Sequence, residues 1–491
     1  MTIRRSASSP VRKAHALTDS FSRAFAILAL LVGLALRLYF VSTFPAQGSG
    51  DAPFYIELAW NWLKKGVYGF PIGGVLTPVD MRVPGYPAFL AAIFTFAGKS
   101  EHAVMLVQVF VDLATCVLVA SIAARLAPKA SRRRVALAAL WLAVLCPFTA
   151  NYTAVVLTET LVTFLTALAL LVLLEAYRES TAQNQAEPLT STSRFSLWFL
   201  GGIVVGFGTL VRPETPLLLI AVGLVLLARW WRRADWGKLL RAALLMGLGL
   251  FLPLLPWAAR NWNTLHDVQF LAPHYSELPG EFAPLGFNAW INTWQWRFRD
   301  VYTSTWKLDV ESISMSDIPA SAFDTPQQRE RAAGIFDSYN NSLTWERGQD
   351  AAFGEIAREI RSRHPLRTYL KIPFLRAVTI WFTPRVELLP YSGNLFPLRL
   401  EWREDRRDFR ATLTLVSANL IYIGLALAGL WIARRSPGVA ILVLFILVRT
   451  IFFSIFADES PEPRYVLECF PAVIALGAQV FRRAEVKTSA S

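Results

Sequence analysis

The sequence predicts an all-α polytopic membrane protein, with about ten transmembrane helices, interfacial helices and one mixed external (periplasmic) loop domain. Three observations carry this. Of the 491 residues, 54% are hydrophobic and only 17% charged, against roughly 25% charged in a soluble domain. The apolar residues gather in runs long enough to cross about 30 Å of hydrocarbon. The basic residues fall on one side of those runs, as cytoplasmic loops require. Such a composition excludes a soluble enzyme, a disordered chain and a collagen-like repeat. Cys116, Cys146 and Cys469 all lie inside apolar runs, as packing residues rather than as a disulfide frame or metal site.

Ten runs qualify as spans, at approximately 23–44, 102–126, 134–151, 154–177, 195–212, 215–231, 239–257, 411–433, 438–457 and 465–481. Basic residues precede the first, as in a signal peptide, but no small-residue cleavage site follows and nine more runs do, so it reads as an uncleaved helix. The chain divides into a basic cytoplasmic N-terminus (1–22), a transmembrane core (23–257) with its first external loop at 45–101, a large external segment (258–410), C-terminal transmembrane helices (411–481) and a cytoplasmic tail (482–491).

The net charge of +13 would in a soluble protein point to nucleic acid. Its placement points elsewhere. With the N-terminus inside, Arg4, Arg5, Arg12, Lys13 and Arg23 are cytoplasmic, as are Arg125, Lys129, Arg132, Arg133 and Arg134. So are Arg229, Arg232, Arg233, Lys238 and Arg241, then Arg434, Arg435, Arg482, Arg483 and Lys487. The short external turns near 152 and 213 are almost free of Lys and Arg. Both termini are therefore expected in the cytoplasm, and no nucleic-acid partner is expected.

In the first external loop, Phe54, Tyr55, Leu58 and Trp62 fall at helical spacing within Ala52–Lys65, opposite Glu57, Asn61 and Lys64. This is the pattern of a helix lying in the interface plane. Tyr86–Phe96 is apolar but too short to cross. The second external segment, 258–410, is rich in Trp, Arg, Asn, Pro and acids and long enough for a small folded domain. Within it Tyr369–Phe382 is another short apolar stretch. The polar stretch Ser180–Ser193 reads as a flexible cytoplasmic linker.

Outside the large segment 258–410, few charged residues remain beyond the cytoplasmic set. Asp51, in Gly48-Ser-Gly-Asp51, precedes the first loop helix. It suits an N-cap, and equally a general base at the membrane surface. Arg82, in Arg82-Val-Pro-Gly-Tyr-Pro87, lies at headgroup level and can pair with a phosphate, either of bulk lipid or of a bound one. Glu159, in Leu157-Thr-Glu-Thr160, sits within an apolar run, where an acid is costly and marks a functional site or a buried ion pair with an arginine such as Arg37 or Arg212. Arg212, in Val211-Arg-Pro-Glu214, and Arg464, Tyr465 and Glu468 also stand at external ends of spans. Acids and arginines from distant parts of the chain thus converge on one leaflet. There is no Gly-rich phosphate loop, His-Glu-x-x-His, Cys-x-x-Cys or Asp-x-Asp, and His15, His102, His266, His274 and His364 lack ligand spacing. A metal site is not supported.

The ordered set of motifs resembles the GT-C fold of lipid-sugar-dependent membrane glycosyltransferases, in particular the bacterial relatives of protein O-mannosyltransferases and of the aminoarabinose lipid A transferase. The set comprises Leu36-Arg-Leu-Tyr39, Asp51 followed by Tyr55, Arg82-Val-Pro-Gly-Tyr-Pro87, Tyr152 with Leu157-Thr-Glu-Thr160, Leu210-Val-Arg-Pro213 and Arg464-Tyr465. The resemblance covers about residues 20–260 by motif and 410–480 by topology. It implies inverting transfer of a sugar from a polyprenyl-phosphate donor to a hydroxyl of a lipid, glycan or protein acceptor, on the external face of a bacterial cytoplasmic membrane. By that likeness Asp51 and Glu159 are the catalytic acids, Arg82, Arg212 and Arg464 hold the donor phosphate, and Tyr55, Tyr86 and Tyr152 contact substrate. The lipid-linked sugar is the co-substrate, membrane lipids are partners, and no other cofactor is implied. The chain lacks the Trp-Trp-Asp of oligosaccharyltransferases and carries a single Asp51 where protein mannosyltransferases have Asp-Glu, which sets a protein acceptor apart. Trp290, Trp294 and Trp296 can stack on a sugar, though their spacing better suits a core or interfacial surface. A flippase, or a polymerase or ligase of lipid-linked surface polysaccharide, is the alternative. The large external segment and absent internal repeats disfavour a transporter.

Overall fold

The computed structural model describes residues 10–47, 50–181, 191–231, 235–273, 275, 282–457 and 461–483, with backbone alone for 10–21 and 191–195. Arg4, Arg5, Arg232, Arg233, His274, Lys487 and most of the linker Ser180–Ser193 lie outside the described residues, as do the side chains of Arg12, Lys13 and His15.

Seven helices among these residues are long and apolar enough to cross a membrane: Ser22–Thr43, Glu101–Leu126, Glu159–Thr181, Trp236–Leu265, Arg406–Ala433, Val439–Phe456 and Pro463–Phe481. The protein is an integral membrane protein. The expected number of ten is not reached by these alone, though each of the ten runs is helical. The 134–151 run is not one helix but a pair, Lys129–Val144 and Pro147–Ala154, bent by 51°. Pro147 is the reason, since its ring removes an N–H donor and blocks continuation of the preceding turn. Counted as one broken span, the pair makes eight. The 195–212 and 215–231 runs appear as shorter apolar helices, Ser196–Val211 and Leu217–Trp231, separated by a turn holding Pro213 and Pro216. The helix expected to end at 257 runs on to Leu265 as part of a 30-residue span.

Close helix contact relies on missing side chains. A Cβ on Gly202 would stand 2.3 Å from the Met246 carbonyl oxygen, and one on Gly249 2.3 Å from that of Phe199. These glycines let Ser191–Val211 and Trp236–Phe251 approach backbone to backbone, as small residues do where lipid offers no hydrophobic drive for association. Inside the bundle, Arg37 and Asp112 form a buried ion pair, with Nε donating to Oδ2 at 2.7 Å. Arg37 is therefore not the partner of Glu159.

The first loop holds the helix Ala52–Lys65, with the expected bounds. Its faces differ from expectation. Leu58 is buried, and so is Asn61, whose amide donates to the Gly69 carbonyl at 3.0 Å. Phe54 and Trp62 stay partly exposed. A hairpin follows, β1 (Gly69–Ile72) with β2 (Val75–Pro78), paired antiparallel from Gly69 against Pro78 to Ile72 against Val75. Gly73 and Gly74, at φ +57° and +83°, supply the left-handed pair that a two-residue turn needs. The apolar helix Gly85–Ala97 follows.

The large segment is helical rather than mixed: among the described residues, strands occur only in the first-loop hairpin. Leu285–Ile291, Pro326–Ser342 and Arg347–Arg363 enclose an aromatic core that includes Phe287, Trp290, Trp294, Phe336, Trp345 and Phe353. The Asp350 carboxylate accepts the Gly286 and Phe287 N–H groups, each at 2.9 Å, capping one helix from another. Trp290 and Trp294 are core residues, and the Arg297 guanidinium covers Trp296 at 4.7 Å. The first two leave no ring face for a sugar.

Candidate active site

The site is assembled by short tethers between distant segments. Beyond the first span, the Ala46 N–H donates to the Ala154 carbonyl at 3.0 Å and Ala46 bridges Val155 in parallel. This brings the first loop beside Leu157-Thr-Glu159. The Tyr68 hydroxyl donates to the Arg82 carbonyl at 2.8 Å, fixing the turn that carries Arg82. Gly85 then packs so tightly that a Cβ there would lie 2.5 Å from the Leu210 carbonyl oxygen. Arg82 and Arg212 are thereby held on neighbouring elements.

Asp51 occupies the N-cap position of Ala52–Lys65, yet its side chain makes no cap hydrogen bond. Its Oδ1 instead accepts from Arg82 Nη2 at 2.9 Å, and Oδ2 lies 3.9 Å from Arg464 Nη1. Arg464 Nε lies 2.7 Å from Glu462 Oε2. Arg212 Nη1 donates to Glu159 Oε1 at 3.1 Å, with Glu214 Oε2 3.8 Å from its Nε and Glu468 Oε1 4.0 Å from Nη1. The second oxygen of Glu159 is buried and has no hydrogen-bond partner.

These residues face one cavity of about 800 Å³, lined by Asp51, Tyr55, Arg82, Glu159, Arg212 and Arg464. Phe452, Phe453 and Tyr465 make an apolar wall, in which the Phe453 and Tyr465 rings stack at 4.5 Å and 6°. Tyr86 and Tyr152 do not line it. Tyr86 is fully buried behind Tyr55, the rings edge-on at 5.2 Å, and its hydroxyl donates to Gln108 Oε1 at 2.8 Å. The Tyr152 hydroxyl donates to Glu387 Oε1 at 3.1 Å. Neither ring is among the residues that line the cavity.

Burial pushes the Asp51 carboxyl up, but the Arg82, Arg464 and Arg212 guanidinia outweigh it and hold the group below the usual aspartate range. It is ionised at neutral pH. Burial, reinforced by the Asp51 charge, pushes the Tyr55 phenol up, so it stays a neutral donor. Three guanidiniums beside a carboxylate and an apolar wall suit an anionic, lipid-borne ligand reacting with a hydroxyl. Among the described residues, no three His, Cys, Asp or Glu side chains gather as a metal site.

Several polar residues of this region escaped the sequence. Arg449 is buried in the middle of Val439–Phe456; a lone arginine in an apolar run was the available signal. Glu462 and Glu387 sit in loops, where nothing in the local pattern separates them from ordinary surface acids.

Comparison with known proteins agrees with this architecture. The family profile described as dolichyl-phosphate-mannose-protein mannosyltransferase matches residues 81–257, a stretch that holds Arg82, Glu159 and Arg212. The chain is similar to the oligosaccharyltransferase AglB of Archaeoglobus fulgidus in complex with an inhibitory peptide and a dolichol-phosphate, at TM-score 0.50 and 14% identity, over 94% of this chain and 50% of that one. The same archaeal enzyme tethered to an acceptor peptide gives TM-score 0.50 and 15% identity, over 93% and 49%. A looser likeness, TM-score 0.41 and 15% identity over 94% and 78%, is to ArnT of Cupriavidus metallidurans. The chain spans about half the length of the oligosaccharyltransferase. No curated protein matches it. With its membrane-spanning helices and the large helical segment between them, the chain has the GT-C fold.

Proposed function

We propose that the protein is a glycosyltransferase that moves a sugar from a polyprenyl-phosphate carrier to a hydroxyl acceptor, at the external face of the bacterial cytoplasmic membrane. The observation that carries this reading is the meeting of Asp51 with Arg82, Arg212 and Arg464 in one cavity beside an apolar wall. The family profile and the solved enzyme with dolichol-phosphate support a lipid-phosphate donor.

In this reading the acceptor oxygen attacks the anomeric carbon and its proton passes to the Asp51 carboxylate. The bond from that carbon to the phosphate oxygen breaks, and its electron pair stays on the phosphate. Attack from the face opposite the leaving group inverts the anomeric centre. Arg82, aided by Arg212 and Arg464, meets the charge growing on the phosphate, which fixed cations stabilise more than mobile water does. Glu159 holds Arg212 toward the cavity.

The test is mass spectrometry of envelope lipids and glycans from cells with and without the protein, paired with turnover of a polyprenyl-phosphate hexose or pentose by the purified protein. A glycan or lipid lighter by one sugar in its absence, with donor consumption in vitro, is expected. Identical envelopes and an untouched donor would remove the assignment.

A further inference from the structure

Arg449 and Glu468 form an ion pair with both side chains at 0% exposure. Arg449 lies seven residues inside the end of Val439–Phe456, about 10 Å along a helix. A pair so placed needs a reason. Charges inside a span are costly, and apolar residues of similar volume often replace a buried ion pair with no loss of stability.

The partners supply the reason. One guanidinium nitrogen of Arg449 meets Glu468 Oε1 while Nε donates to the Tyr465 carbonyl at 2.6 Å. Arg449 therefore holds two points of the short turn Pro463–Cys469, the turn that carries Arg464 and Tyr465 into the cavity. Its Nη1 is buried without a hydrogen-bond partner, so the arginine is not there to complete a network for its own sake. Glu468 is shared. Oε2 accepts from Thr166 Oγ1 at 3.1 Å, and Oε1, already facing Arg449, lies 4.0 Å from Arg212 Nη1. The same Arg212 nitrogen is held by Glu159 at 3.1 Å. Arg212 and Arg464 also flank the Tyr465 ring, at 5.8 and 5.6 Å from its centroid.

We propose that Arg449 and Glu468 are positioning residues, which fix Arg212 and Arg464 in the orientation that receives an anionic lipid phosphate. This rests on the reading of the cavity as a lipid-phosphate site. Arg449 anchors the turn, Glu468 bridges it to Arg212, and neither touches the cavity itself. Because the pair is preorganised inside packed helices, the guanidiniums need not be ordered when the ligand arrives, which raises affinity without a new contact.

The experiment uses the full chain in detergent, with undecaprenyl phosphate as the binding probe and a polyprenyl-phosphate sugar as donor. The variants are Arg449→Met/Glu468→Leu, which removes both charges at similar volume, and Glu468→Gln, which keeps the shape and removes one. The double variant is expected to keep the wild-type Tm within a few degrees and Glu468→Gln, which leaves the Arg449 charge buried alone, to lower it; both are expected to bind undecaprenyl phosphate roughly tenfold more weakly, and to show the loss in donor KM more than in kcat. Glu468→Asp is expected to recover part of the affinity. A folded double variant, or a folded Glu468→Gln if the double variant does not fold, that binds and turns over donor as the wild type does would overturn the positioning role. A wild type that neither binds undecaprenyl phosphate nor consumes donor overturns the lipid-phosphate reading itself, and is seen before any variant is made.

Discussion

Asp51 stands where a helix cap would stand and does not cap. Its two oxygens turn to Arg82 and Arg464, so the helix start positions a carboxylate for other work. Asp51→Asn, of nearly the same shape, is expected to lower transfer by about 10²- to 10⁴-fold, the usual worth of a general base, with Tm unchanged; single-turnover rates with saturating donor check this. Arg82→Gln is expected to weaken donor binding and to change the pH profile in a defined direction. Burial raises Asp51 and the arginines more than offset it. Removing Arg82 therefore lifts the Asp51 carboxyl, and the acid limb of the rate moves to higher pH. Profiles of kcat for the two proteins read this shift; an acid limb that stays put denies Asp51 the base role. Asp51, Arg82, Glu159, Arg212 and Arg464 could be singled out in the sequence because each stands in the first loop or at the end of an apolar run, where a charge is costly. Tyr86 and Tyr152 share those motifs, but a motif does not show which way an aromatic ring faces, and both point into packing.

Among the elements, the helix Ala52–Lys65 was legible to its ends because Asp51 precedes it, Pro53 lies in its first turn and Gly66 closes it at φ 69°. Which of its faces is buried was not, since the hairpin and Gly85–Ala97 cover positions that spacing alone assigns to solvent. The hairpin had a signal, two glycines between short β-prone runs. The bend near Pro147 was hidden by unbroken hydropathy, because apolar content says nothing of a missing N–H. In the large segment, Asp350 joins Leu285–Ile291 to Arg347–Arg363 through two backbone donors. Asp350→Ala strands both and is expected to cost about 1–3 kcal/mol locally. Faster hydrogen exchange in Leu285–Ile291 with unchanged exchange in Glu101–Leu126 would show it; uniform exchange throughout would not.

At the scale of the molecule, the membrane class was legible because a span is set by length and hydropathy alone, whereas the number of spans depends on prolines and helix lengths that hydropathy averages over. The placement of the cavity on the external side is open to direct test. Cys116, Cys146 and Cys469 are buried, so an added thiol stands out. Val75→Cys, at the exposed hairpin turn, is expected to react with a membrane-impermeant maleimide in intact cells, and Lys238→Cys only after permeabilisation. The reverse pattern would turn the protein over in the membrane.

Beside the cavity, the Leu217–Trp231 helix has 15 residues, a length of about 22 Å. Leu217 and Ile220 of this helix line the cavity. Set against a hydrocarbon layer of about 30 Å, a helix that short is met by thinning of the bilayer or by flanking side chains that reach to the interface. If the bilayer thins there, turnover is expected to rise in vesicles of shorter acyl chains and to fall in thicker ones; equal turnover across chain lengths would deny it.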